Sequence, residues 1–218
     1  MIIAIDGPSG SGKSTLGRML ARALNLLYID TGSMYRAVAL ATINAELDPT
    51  DTEAIADLAS RADIDLEGDP DSLKVLLNGS EVTEEIRSES VTAMSSVVST
   101  IPDVRRAMVA RQRRMGQRGA VLNGRDIGTV VFPDADIKFF LTAAPEERAE
   151  RRFKEDVLTN SGVSLSQTLA EMMERDRRDS TRADSPLKAA EDAIVIDSSG
   201  LTIDQVFARM MEHVHRHH

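Results

Sequence analysis

The feature that most constrains the fold is the stretch IIAIDGPSGSGKST at residues 2–15, where an apolar run breaks into glycines and then a lysine. The apolar run predicts a buried strand of a parallel sheet. After Lys13, apolar residues recur at the spacing of an amphipathic helix. Gly7, Gly12, Lys13 and Ser14 therefore stand in the strand, loop and helix context that a phosphate-binding P-loop requires.

Such a loop holds a phosphate chain mainly with its backbone. Glycines let consecutive N–H groups converge on phosphate oxygens, and the start of the helix adds a partial positive charge. Lys13 supplies a point charge to the β and γ phosphates, and the Ser14 hydroxyl can reach Mg²⁺. We therefore predict that a nucleoside triphosphate binds the following residues: Gly7, Ser9, Gly10, Ser11, Gly12, Lys13, Ser14 and Thr15.

The rest of the chain predicts an α/β fold with a five-stranded parallel sheet flanked by helices, because short apolar runs alternate with helical patterns. The predicted strands lie at residues 1–5, 26–30, 120–123, 137–141 and 193–197. Residues 64–82 alternate apolar and polar side chains around turn signals, which predicts an inserted antiparallel β segment. A hairpin without a function and a mobile subdomain over a substrate site are both open interpretations of it. Residues 158–164 have the composition of a flexible loop or lid.

Composition narrows the class of protein. The net charge of −9 disfavours non-specific binding to nucleic acid, and the chain has no cysteine for disulfides or thiolate chemistry. No apolar run is long enough to span a bilayer, so we expect a cytoplasmic protein without a membrane partner. Histidine occurs only in the last six residues, which we expect to be a frayed tail without a metal site, and general-base catalysis by histidine is not expected.

Arginine is concentrated in this acidic chain. Six arginines against one acid lie between Asp103 and Arg118, where a solvated basic face and a binding role are both open interpretations. Further along, a charged stripe occupies the spacing that usually forms the buried face of a helix: Arg175, Arg178, Asp179 and Arg182. Polar residues also follow the second and third predicted strands, where open α/β sheets bind ligands: Thr31, Tyr35, Arg36, Arg125 and Asp126. So many cations beside one P-loop imply a second phosphorylated substrate.

P-loop proteins include switches, motors, sugar kinases and nucleotide kinases, and the loop alone does not choose among them. The chain lacks the Asn-Lys-x-Asp motif with which GTPases recognise guanine. In the segments IDGPSGSGKST, DTGSMYRA, NGRDIGTVVFPDA and ERDRRDSTR it resembles the bacterial cytidylate kinases from end to end, with the β-rich insertion where that family enlarges its monophosphate-binding part. One departure is Asn123, where the family usually has an acid beside the magnesium waters.

The resemblance implies an ATP- and Mg²⁺-dependent kinase that converts CMP and dCMP to the diphosphates. It implies a single kinase domain with a core at 1–30, 103–153 and 166–218, a monophosphate-binding insertion at about 31–102 and a lid at about 154–165. We expect a monomer. The residues implied in the CMP pocket are Thr31, Tyr35, Arg36, Ser96, Arg105, Arg125, Asp126, Arg175, Asp179 and Arg182.

Within that pocket the resemblance implies that Arg125 and Asp126 read the cytosine edge, and that Ser96, Arg175 and Asp179 hold the sugar. Closure over the transferred phosphoryl group is expected of Arg178 together with Arg148, Arg151 or Arg152, and Arg151 is expected to bind the nucleotide. Lys13, Arg125, Arg178 and Arg182 are the expected catalytic cations. Two alternatives remain: a kinase of the same architecture acting on UMP or a sugar acid, and a nucleotide-gated RNA-binding protein using the arginines between 103 and 118.

Overall fold

The computed structural model describes residues 1–158, 162 and 164–217, and side chains as far as residue 154 in the helix that ends at Leu158. Its centre is a five-stranded parallel sheet with the strand order β2-β6-β1-β7-β8. This confirms the predicted α/β architecture. The strands are β1 (Ile2–Asp6), β2 (Leu27–Asp30), β6 (Ala120–Gly124), β7 (Ile137–Thr142) and β8 (Ile194–Asp197).

Helices cover both faces of this sheet because successive residues of the buried strands point to opposite faces. Ile3 and Ile5 pack in the core on the side of the first and last helices, whereas Ala4 packs on the other side. The helices are α1 (Lys13–Leu24), α2 (Thr31–Asn44), α3 (Thr52–Arg61), α4 (Glu89–Val98), α5 (Pro102–Gly116), α6 (Pro145–Leu158), α7 (Leu165–Thr181) and α8 (Ile203–Arg216).

The predicted insertion forms a three-stranded antiparallel sheet of β3 (Ile64–Glu67), β4 (Lys74–Leu77) and β5 (Ser80–Glu81). Asn78 and Gly79 both have positive φ and form the predicted tight turn between β4 and β5. Ile64 and Leu66 of β3 and Val75 and Leu77 of β4 belong to the same core cluster as Ala4 of the central sheet. The insertion therefore shares one hydrophobic core with the main sheet.

The predicted lid at 154–165 lies partly outside the described residues. The first part of the predicted lid continues α6. Its last residue, Leu165, begins α7, which has a capping box between Ser164 and Gln167. In the described ranges 1–158, 162 and 164–217, no helix is both long and apolar enough to cross a membrane.

The expectation of a frayed histidine tail is wrong. Helix α8 continues to Arg216, and the His213 ring packs edge-on against Phe139 with the ring centroids 6.3 Å apart. The reason is an apolar stripe of Val206, Met210 and Val214, which is buried against the sheet. Among the described residues, no cluster of histidines or acids has the arrangement of a metal site.

Candidate active site

The P-loop connects β1 to α1 and depends on glycines at defined points. Gly10 and Gly12 have φ of 70° and 90°, a left-handed conformation that side chains disfavour. At Gly7 a Cβ atom would lie 2.1 Å from the carbonyl oxygen of Leu141. The loop is thus shaped by backbone conformation, as expected of a phosphate cradle.

Lys13 is buried at the first position of α1. Its ammonium group donates to the carbonyl oxygen of Pro8 at 2.5 Å and to the Ser11 hydroxyl at 3.3 Å. Burial, and then the nearby positive charge of Arg125, lower the pKa of Lys13 well below its usual range. An anion bound in the loop would oppose both effects, so the site favours a negatively charged ligand.

A polar network adjoins the P-loop at the ends of β2 and β6. The side-chain amide of Asn123 donates to the Ser14 hydroxyl at 3.2 Å and to Asp30 Oδ1 at 3.4 Å. The other carboxylate oxygen of Asp30 pairs with Arg36 at 3.4 Å. Asn123 is 4% exposed, and its Oδ1 atom is buried without a hydrogen-bond partner. A hydroxyl, a carboxylate and a free amide oxygen are suitable acceptors for a hydrated Mg²⁺ ion.

Asp126 lies between two arginines from different helices. Arg105 of α5 donates to its Oδ2 at 2.5 Å, and Arg182, just after α7, approaches its Oδ1 at 3.7 Å. Arg105 also lies over the Tyr35 ring, 5.7 Å from the centroid. The side chains of Arg105, Asp126 and Arg182 are all buried, so the ion pair of Arg105 with Asp126 is held in one geometry.

Arg125 precedes Asp126 in sequence but takes a different partner. Its Nε donates to Asp179 of α7 at 2.8 Å. Burial disfavours the charge on Asp179, but Arg125 and Arg175 outweigh that effect and hold its pKa below its usual range. Burial and then Arg125 lower the pKa of Arg175 to about 10. Several guanidinium groups thus lie closer together than their own charges favour.

Three of these arginines have buried N–H groups without hydrogen-bond partners: Arg36 Nε, Arg105 Nε and Arg182 Nη2. Buried donors in proteins are nearly always satisfied, and an unsatisfied one costs about 1–3 kcal/mol or more when charged. Acceptor atoms of a ligand would satisfy these donors. We call the region in which five neighbouring arginines interact electrostatically the arginine crevice; they are Arg36, Arg105, Arg125, Arg175 and Arg182.

The remaining predicted pocket residues lie around α2 and α4. The Thr31 hydroxyl donates to the backbone oxygen of Asn123 at 2.8 Å, and the Ser96 hydroxyl approaches the backbone oxygen of Thr92 at 3.5 Å. Tyr35 is half-buried, and burial raises its pKa to about 12. A cleft of about 320 Å³, with Arg36 in its lining, lies between the start of α2 and the strands β4 and β5.

Of the cations expected to close over the phosphoryl group, Arg148 already contacts the P-loop. It donates to the backbone oxygen of Ser9 at 2.9 Å and pairs with Asp176 at 2.5 Å. Arg151 instead donates to the hydroxyl and backbone oxygen of Ser198 beyond β8, both at 2.9 Å. Arg178 approaches Glu174 of its own helix at 3.6 Å.

Two acids near the site were not predicted from the sequence. Asp176 accepts the Ser9 N–H at 3.3 Å and so ties α7 to the P-loop. Asp6 is buried at the end of β1 and accepts two backbone N–H groups from the turn after β6. An acid at the end of an otherwise apolar strand was the available signal for Asp6, whereas Asp176 is hidden within the charged run ERDRRD.

The whole chain matches known proteins of one family. A family model described as cytidylate kinase matches residues 3–216. A protein of Geobacter sp. (strain M21) named cytidylate kinase is 47% identical, covering 96% of this chain and 91% of the relative. One of the same name from Desulforamulus reducens (strain ATCC BAA-1160 / DSM 100696 / MI-1) is 53% identical, covering 94% and 92%.

A structural comparison agrees on the fold. The crystal structure of an uncharacterized protein from Eubacterium ventriosum ATCC 27560 superposes with a TM-score of 0.55 at 14% identity, covering 99% of this chain and 98% of that one. The family model matches nearly the full length of the chain, and the two named relatives are 47% and 53% identical to it. The chain belongs to the cytidylate kinase family.

Proposed function

We propose that the protein transfers the γ-phosphoryl group of ATP to CMP and dCMP. The observation that carries the proposal is the arginine crevice, where buried guanidinium N–H groups without partners lie beside a P-loop. The P-loop accounts for one anionic ligand, and the crevice supplies donors for a second. A monophosphate bound there would face the end of a triphosphate held by the loop.

The reaction needs no general base from the protein. A phosphate oxygen of CMP, already anionic near neutral pH, forms a bond to the γ-phosphorus as the bond from that phosphorus to the β,γ-bridging oxygen breaks. Catalysis then consists of aligning two anions and neutralising their charge. Lys13 serves the triphosphate, and Arg125, Arg178 and Arg182 are the cations that we assign to the transferred group.

Mg²⁺ fits the network at the ends of β2 and β6, on the evidence of Asn123, whose side-chain nitrogen donates to Ser14 and whose buried side-chain oxygen has no hydrogen-bond partner. When bound, the ion supplies positive charge to the phosphate oxygens and holds them in position. Ser14 would contribute its hydroxyl, while Asp30 and Asn123 would accept from its water molecules. The carboxylate that the family places at position 123 is replaced in this role by Asp30 of the neighbouring strand.

The contacts also suggest which residues read the base. From the sequence, Arg125 and Asp126 were predicted to read it together, but Asp126 is paired with Arg105 instead. Cytosine presents an amino donor beside the N3 acceptor. Asp126 can accept from the amine while Arg105 donates to N3, which leaves Arg125 for phosphate. Arg175 and Asp179 are assigned to the sugar hydroxyls.

A coupled assay with ATP and a panel of acceptors (CMP, dCMP, UMP, AMP, dTMP and shikimate) tests this function. CMP and dCMP are expected to have the highest kcat/KM, with UMP lower by about a hundredfold or more. Uracil would place an acceptor against the Asp126 carboxylate and a donor against the Arg105 guanidinium group, so two buried hydrogen bonds would be lost. Equal use of UMP, or a preference for a sugar acid, would contradict the proposal.

Replacing Lys13 tests the P-loop assignment. Lys13→Ala should lower kcat by about a hundredfold to a thousandfold because a cation that stabilises the transition state is lost. The melting temperature should not fall, because Lys13 is a buried cation beside Arg125. Lys74→Ala, which removes an exposed lysine paired with Glu81, is the matched control and should keep full activity. Near-normal turnover of Lys13→Ala would exclude the loop as the donor site.

A further inference from the structure

Asp6 is a buried carboxylate to which the proposed function assigns no role. It ends β1 and is 4% exposed. Its Oδ1 accepts the N–H of Ile127 and its Oδ2 accepts the N–H of Gly128, both at 2.8 Å. The carboxylate thus satisfies two backbone groups of the turn that follows β6.

That turn carries Arg125 and Asp126. Asp6 pairs in register with Gly124, the last residue of β6. Gly124 is itself confined, because a Cβ atom there would lie 2.7 Å from the Ile127 side chain and 2.9 Å from the Thr31 hydroxyl. Arg125 and Asp126 therefore lie between one point held by close packing and another held by the two bonds to Asp6.

The cost of placing a carboxylate here indicates that both oxygens are needed. Burial raises the pKa of Asp6 to about 6, although the two N–H groups oppose the shift. An amide in its place offers one oxygen, and its NH₂ group would face a second N–H donor. Charged neighbours do not offset the burial fully, since Asp126 raises the pKa and Lys13 lowers it.

We propose that Asp6 is a positioning residue that holds Asp126 at the distance and angle needed to discriminate cytosine from uracil. This rests on the proposed CMP site. The selectivity set by Asp126 and Arg105 depends on where the backbone of residues 125–128 lies, and the two bonds from Asp6 determine that position. The contribution of Asp6 is separate from that of the P-loop, although Asp6 directly precedes the loop. Its hydrogen bonds go to the turn after β6, which carries the residues assigned to CMP.

The test compares Asp6→Asn with the wild-type protein in kcat/KM for CMP and for UMP, and in KM for ATP. The ratio of the two kcat/KM values is independent of the fraction of folded enzyme. It is expected to fall by about tenfold through a higher KM for CMP, while KM for ATP changes by less than about threefold. Thr42→Val, which removes a buried hydroxyl bonded within α2, is the control and should leave the ratio unchanged.

Two results would overturn the inference. Parallel losses with CMP and UMP would show that Asp6 only stabilises the fold, and a raised KM for ATP with normal CMP kinetics would make it a partner of Lys13. A wild-type protein that does not discriminate CMP from UMP would instead overturn the proposed function, whatever Asp6→Asn does.

If Asp6→Asn does not fold, Gly128→Ala keeps the carboxylate and crowds the turn against the Lys138 side chain. Its new Cβ atom would lie 3.1 Å from the Lys138 side chain and 3.5 Å from Asp6 Oδ2. The CMP to UMP ratio should then fall by at least about threefold. An unchanged ratio would show that the position of the turn does not set base selectivity.

Discussion

Helices α5 and α7 are both rich in arginine, yet the structure uses the two sets differently. On α5, Arg111 donates to backbone oxygens at the end of α3, including Ala59 at 3.0 Å, and Arg113 donates to Val130 and Val131 at 2.7 and 2.8 Å. On α7, Arg175 lies in the arginine crevice among like charges. Arginine thus caps backbone oxygens from α5, whereas on α7 it lies at the candidate ligand site.

The difference lies in what each guanidinium group meets. Backbone oxygens at the end of a helix lack partners within the helix, so an arginine that reaches them is satisfied by the fold itself. The crevice arginines Arg105 and Arg182 also donate to backbone oxygens, of Ser99 at 3.2 Å and Ser185 at 2.6 Å, but each keeps one buried donor without a hydrogen-bond partner. Arg111 and Arg113 donate to backbone oxygens of the fold, and the membership of the chain in the cytidylate kinase family does not favour an RNA-binding role for α5. Arg105 of α5 belongs to the arginine crevice and pairs with Asp126 there.

The largest effect that would sharpen this comparison is expected at Arg182. Arg182→Ala should lower kcat/KM for CMP by about a hundredfold to a thousandfold, because the crevice loses a buried cation that faces the acceptor. Stability should change little because Arg105 still pairs with Asp126. Arg177→Ala is the control on α7, since this arginine is exposed and paired with Glu174, and it should stay within about twofold of wild type. Equal losses of kcat/KM for CMP in Arg182→Ala and Arg177→Ala would contradict the assignment of Arg182 to the substrate site.

A smaller effect is expected at Asp126, where the two arginine sets meet. Asp126→Asn presents a donor as well as an acceptor to the base, so the preference for CMP over UMP should narrow by about tenfold or more, chiefly through loss of CMP. The measurement is kcat/KM for both monophosphates, with KM for ATP as the internal control. A preserved ratio would mean that Asp126 and Arg105 contact phosphate or serve the structure.

The smallest effect on catalysis is expected on α5. Arg111→Ala should lower the free energy of unfolding by about 1–2 kcal/mol, because the last carbonyl groups of α3 lose a charged donor that is itself partly exposed to solvent. Its kcat and KM values should equal those of the wild type. Arg106→Ala, at an exposed pair with Asp103, should cost less than about 0.5 kcal/mol in denaturant unfolding. A catalytic defect in Arg111→Ala would show that α5 arginines also serve the crevice.

Much of the fold could be predicted because a buried parallel strand is a short, continuous apolar run. All five strands of the main sheet lie within one or two residues of their predicted positions. The end of the chain was mispredicted because its histidines and charges interrupt the pattern. The residues that hold α8 in place, Val206, Met210 and Val214, are spaced four apart and pack under those polar side chains.

The crevice was predicted in part. The sequence placed Arg125 and Asp126 together past the third predicted strand, and both lie there. It could not show that the two residues take different partners. Adjacent side chains leave an extended backbone in different directions, and which groups they meet there depends on the packing of α5 and α7. It also missed Asp6, whose partners are 121 and 122 residues away along the chain. Contacts of that separation leave no local pattern.

The sequence by itself determined the phosphate loop, because that function resides in backbone conformations that nearby glycines, a strand end and a helix start impose locally. Only the tertiary structure decided the role of each arginine. A guanidinium group binds whichever acceptors the fold brings within reach. The same residue type donates to a helix end at Arg111, whereas at Arg182 it keeps one buried N–H group, on Nη2, without a hydrogen-bond partner. Which of these occurs depends on segments far apart in the chain, so no spacing within one helix can specify it.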